Sequence, residues 1–113
     1  MSVAMHGIVH LSDLEAYALQ LGKLELFSLP RLVDIREGHL DLANEEMRHF
    51  AEVMQHFRRH YGLGKTALVT STDLDYAMGR MYSMLAEAGD PGFRVFRSME
   101  DARAWLSDPT FPS

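Results

Sequence analysis

The chain has 113 residues, enough for one domain with a core of its own and no need of metal or disulfide staples. Its 47% hydrophobic and 24% charged content is ordinary for a globular protein. The absence of cysteine excludes disulfides, thiol nucleophiles and cysteine-type zinc sites, and fits a reducing cytoplasm. A net charge of −5, with Arg58-Arg59 the only adjacent basic pair, argues against nucleic acid, which requires clustered positive charge. No apolar run reaches membrane-spanning length, so no stable membrane insertion is expected.

In chain order, Ser2 to Val9 reads as a strand interrupted near Gly7. Ser12-Asp13-Leu14-Glu15 has the form of a capping box, and Leu11, Leu14, Tyr17, Ala18 and Leu21 form an apolar stripe that Gly22 is expected to end. Leu24 to Leu29 is apolar and fits either a helical extension or a packed loop. Leu32 to Arg36 alternates as a strand does, and Gly38 is expected to turn the chain into a long helix over about Ala43 to Tyr61. In that helix Met47, Phe50, Met54, Phe57 and Tyr61 share one face. Thr66 to Thr70 is a β-branched, apolar strand, and Thr72 with Asp75 opens a helix at once. Leu74, Met78, Met81, Leu85 and Ala88 recur on that helix as its expected buried stripe. Gly89-Asp90-Pro91-Gly92 is a turn, Phe93 to Arg97 a last strand, and Ser98 caps a helix bearing Ala102, Trp105 and Leu106.

Strands alternating with helices at this spacing imply an α/β fold with a mainly parallel sheet of about four strands, one domain over residues 1–107 and a tail over 108–113. Placing Val33, Ile35, Ala67, Val69, Phe93 and Val95 on one face leaves Asp34, Arg36, Thr66, Thr70 and Arg94 on the other. The helices are therefore expected mostly on one face, with the second wet or met by a partner.

The Leu32-Val33-Asp34-Ile35-Arg36 strand, the Tyr76-Ala77-Met78-Gly79-Arg80-Met81-Tyr82 helix, and Val95-Phe96-Arg97 followed by Ala102-Arg103-Ala104-Trp105-Leu106 together resemble the bacterial SpoIIAA-like family within the STAS group. That fold is shared with CRAL-TRIO lipid-binding domains. The resemblance spans about Gly7 to Leu106 and implies a parallel βα superhelix. Members usually begin with a full β-hairpin, for which this chain has room for one strand, so an exposed edge is implied. Relatives regulated by phosphorylation carry a serine after the strand matching Leu32 to Arg36. His39-Leu40-Asp41-Leu42-Ala43-Asn44 has neither serine nor threonine, so that role does not carry over.

The strand ends gather Asp34, Arg36, His39, Thr70, Ser71 and Thr72, where open α/β sheets bind ligands. Tyr76 and Arg80 lie one turn apart and suit a guanidinium stacked on a phenol, and Phe96 lies on the open face. These residues form the candidate ligand or partner surface. His56 and His60, four apart near His49, are a weak metal pair with no third ligand indicated. No glycine-rich phosphate loop or G-x-S-x-G turn is present, and a hydrolase would need Ser71 or Ser98 within reach of a histidine. The reading is a non-enzymatic interaction module without cofactor, binding a protein partner or itself as a homodimer. The alternative is a carrier of a small or lipid-like ligand, with a pocket lined by Met78, Met81, Phe50 or Phe57.

Overall fold

The structure, a computed structural model, describes residues 1–24, 29–61, 64–86 and 92–108. The residues at 25–28, 62–63, 87–91 and 109–113 lie outside it, and with them most of the glycine turn, Ala88 and all but the first residue of the tail. The chain runs β1 (Ser2–Val9), α1 (Leu11–Lys23), β2 (Arg31–Leu40), α2 (Asn44–Tyr61), β3 (Thr66–Val69), α3 (Asp73–Ala86), β4 (Phe93–Phe96) and α4 (Met99–Leu106). The four strands form one all-parallel sheet in the order β1-β2-β3-β4.

Two strands differ from the sequence reading. β2 continues through Gly38 to Leu40 and pairs with β1 along its added length. Gly38 is needed there for closeness, not for turning: a Cβ would stand 2.7 Å from the Gly7 carbonyl oxygen. Gly7 itself has φ +69°, in the left-handed region, just past a register shift between Ala4 and His6. In β3, Val33 pairs with Leu68 and Leu32 with Ala67, so Leu68, not Ala67 and Val69, shares a face with Val33 and Ile35. The phase of β3 was unreadable because Ala67, Leu68 and Val69 are all buried, as central strands of parallel sheets are.

α1, α2 and α3 lie side by side over the face carrying Val33, Ile35, Leu68 and Val95. Ala18 and Leu21 of α1 meet Phe50 and Met54 of α2 in the outer layer of this core. α4 crosses the opposite face, where Ala102 and Trp105 cover Leu32, Ala67 and Val69. The helices thus lie mostly on one face, as expected; α4 closes the second over β2, β3 and β4, while Ser2 and Ala4 of β1, Arg36 and Arg94 are exposed on it and Asp34 is half-buried. Helix starts follow local hydrogen bonding. His10, not Ser12, caps α1, its N–H donating to Asp13 at 2.9 Å. Ser98 accepts the Asp101 N–H at 3.2 Å and caps α4. Gly22 is buried within α1, which ends one residue later.

The largest departure is the rotation of α3. Its buried positions are Asp75 and Gly79, while Leu74, Met81 and Leu85 of the expected buried stripe face outward. Gly79 sets this phase. A Cβ there would lie 2.8 Å from Val95 Cγ2 and 3.2 Å from Leu68 Cδ2. The bare glycine lets α3 sit hard on the sheet, which turns the apolar stripe away by roughly a quarter turn at 100° per residue.

Candidate binding surfaces

At the carboxyl ends of β2 and β3, Asp75 is the hub. Its fully buried carboxylate accepts the Leu40 N–H at 2.9 Å and the Thr72 hydroxyl at 2.8 Å, and one oxygen lies 3.0 Å from Nδ1 of His39. Thr72 in turn accepts the Asp75 N–H at 3.2 Å, closing the cap of α3. The His39 side chain is otherwise exposed.

The other predicted residues at this end are also brought together, and each is occupied locally. Arg36 donates from Nε and Nη2 to the two Asp34 oxygens, at 3.0 and 2.9 Å, in a bidentate pair. That pair pulls the Asp34 carboxyl below its ordinary pKa and raises Arg36, hydrogen bonding being the leading cause for both. The Ser71 hydroxyl donates to the Arg36 carbonyl at 2.8 Å, and the Thr70 hydroxyl to the Phe96 carbonyl at 3.3 Å. These residues tie strand ends together and leave little to offer a ligand. Neither Ser71 nor Ser98 is hydrogen-bonded to an imidazole among the described residues.

Tyr76, Arg80 and Phe96 fall in a different place, a groove of about 970 Å³ along the outer edge of β4, between α3 and α4. The guanidinium stacked on Tyr76 is that of Arg97, 4.5 Å from the ring centre, and not that of Arg80. Arg97 also pairs with Asp73, while Arg94 lies 5.6 Å from the Phe96 ring. The sequence marks Asp75 only as the capping partner of Thr72 and Arg94 only as a residue of the second sheet face; that Arg94 sits on an edge strand depends on strand order.

No family model matches the chain, and no curated protein or solved structure matches it.

A partly open cavity of about 80 Å³ lies between the sheet and α1–α3, with Phe50, Met54 and Met78 among its lining residues but neither Met81 nor Phe57. Arg31, 4% exposed, reaches it and donates from Nη2 to the Thr66 hydroxyl at 2.7 Å. The buried Tyr17 hydroxyl beside it has no hydrogen-bond partner among the described residues. Burial raises the Tyr17 pKa, and the Arg31 charge opposes that rise.

His56 and His60 stack ring on ring with centres 6.5 Å apart, and His49 points to Glu15 of α1 at 3.4 Å. No group of three or more potential ligands stands together among the described residues. No described helix is long and apolar enough to cross a membrane.

Proposed function

We propose that the chain is a non-enzymatic protein-interaction module that binds a second copy of itself through the outward face of α3. The observation carrying this is the exposure of Leu74 at 69%, Met84 at 66%, and Met81 and Leu85 at 38% each. Large apolar side chains clustered on one exposed helix face mark interaction sites more often than scattered ones do. The face also suits twofold symmetry. Exposed Ala77 lies midway between Leu74 and Met81, so two antiparallel copies of α3 can cross closely at the small residue and set each leucine against the other's methionine.

The rival reading, a carrier of a small or lipid-like ligand, turns on the cavity between the sheet and α1–α3. Pockets for drug-sized ligands measure about 300–1,000 Å³. The cavity's 80 Å³ suits a few waters, at about 30 Å³ each, or a group of a few heavy atoms.

Native mass spectrometry of the purified chain, under mild and then denaturing conditions, tests both readings. The expected result is a dimer without added mass that becomes monomeric in a Leu74→Lys/Met84→Lys variant of unchanged circular dichroism. A monomer at every concentration overturns self-association, and a monomer retaining a few hundred daltons of non-covalent mass puts the carrier reading first.

A further inference from the structure

We infer that the outer edge of β4 takes up an extended acidic segment of a partner protein as a fifth strand. The backbone comes first. The Thr66 N–H donates to the Gly92 carbonyl at 2.7 Å and the Thr70 N–H to the Phe96 carbonyl at 2.9 Å. Alternation along a parallel ladder then directs the N–H and C=O of Phe93 and Val95 away from β3. No described strand meets them there. Open edges are usually covered or blunted. Here α3 and α4 flank the edge and leave the 970 Å³ groove beside it. Four residues of β4, at about 3.3 Å each, suit an added segment of roughly four to six residues.

Charge selects the occupant. Among the described residues, the charged ones lining the groove are Arg80, Arg94, Arg97 and Asp101, three cations against one carboxylate, on a chain whose net charge is −5. Arg80 and Arg94 join no ion pair among the described residues, and the ring contacts of Arg94 and Arg97 hold those guanidinium groups beside the strand. Alternate side chains of an added strand point to opposite faces. Acidic residues on one face would meet Arg80 and Arg97 on the α3 side, and those on the other would meet Arg94. A second copy fits less well. Pairing β4 with β4 would bring like charges together, and pairing it with the β1 edge of another copy would make an open, non-closing chain.

The test uses a fluorescein-labelled hexapeptide of alternating glutamate and valine, read by anisotropy on the full chain. It is run on the unsubstituted protein and on the Leu74→Lys/Met84→Lys variant, so that strand addition and self-association fail separately. Saturable binding is expected in both, weakened about tenfold or more by Arg80→Glu/Arg94→Glu, by lysine in place of glutamate, and by N-methylation of alternate peptide nitrogens. Equal binding of the N-methylated peptide overturns strand addition, since its charge is unchanged and its donors are gone. Equal binding of the lysine peptide, or of an oligothymidylate competing as strongly as the glutamate peptide, overturns the acidic-segment specificity.

Discussion

The Asp75 carboxylate accepts the backbone N–H of Leu40, thirty-five residues away, at 2.9 Å from a position with no solvent exposure. One side chain therefore caps α3, fastens it to the last residue of β2 and orients His39. Asp75→Ala leaves the Leu40 N–H and the Thr72 hydroxyl without their acceptor. At about 1–3 kcal/mol for each orphaned buried group, the variant is expected to lose about 3 kcal/mol of unfolding free energy in urea. His39→Ala removes only an exposed contact and should cost under about 1 kcal/mol. Equal losses in the two variants would mean that Asp75 serves the histidine and not the backbone.

Gly79 gives a second test, because two effects of opposite sign meet there. Gly79→Ala gains about 1 kcal/mol of helix propensity. Its methyl group must also fit 2.8 Å from Val95 Cγ2 and 3.2 Å from Leu68 Cδ2, inside ordinary contact distance. Overpacking of that kind costs about 1–3 kcal/mol, so a net loss near 1 kcal/mol is expected in thermal or urea unfolding. A gain in stability would show that α3 can lift off the sheet freely.

The same glycine shows where the sequence stops being informative. The order of elements, the parallel sheet and the length of α2 are carried by local patterns: capping residues, alternation, and a three-four stripe whose Met47, Phe50 and Met54 are buried. The face that α3 buries is not a local property. Leu74, Met81 and Leu85 make the better apolar stripe, yet Gly79 faces the sheet because close approach to Val95 matters more than the area those side chains would bury. The site divided in a similar way. Asp34, Arg36, Ser71 and Thr72 do gather at the strand ends, as the topology implies, but their polar groups are taken by one another or by neighbouring backbone. Tyr76, Arg80 and Phe96 meet instead at the β4 edge, which is known only once β4 is placed last in the sheet.

The Tyr17 hydroxyl is buried beside Arg31 with no hydrogen-bond partner among the described residues. A buried polar group left unsatisfied costs about 1–3 kcal/mol, whereas a well-packed apolar replacement is close to neutral. Tyr17→Phe is therefore expected to leave stability unchanged or raise it by up to about 1 kcal/mol, measured by urea unfolding. Buried water bridging the hydroxyl would reverse the sign, and a loss above about 1 kcal/mol would place such water in the cavity.

The Asp34–Arg36 pair predicts a pH dependence with a definite sign. The folded-state pKa of Asp34 is lowered, chiefly by hydrogen bonds from Arg36. The unfolded chain therefore takes up this proton first as the solution is acidified. The pair's contribution is complete above the ordinary carboxylate value, near pH 4, and is lost as the pH falls below that toward the lowered folded value. Arg36 stays charged throughout, so the change belongs to Asp34. Asp34→Asn should flatten this part of the stability profile between pH 5 and about pH 2, while the two proteins differ by a constant amount from pH 5 to 8. Because the Arg36 side chain is half exposed and the pair spans only two residues of one strand, 0.5 M salt should shrink the difference markedly. Urea unfolding of both chains across this pH range, at low and high salt, measures it. An acid limb equally steep in Asp34→Asn would assign the loss to another carboxylate.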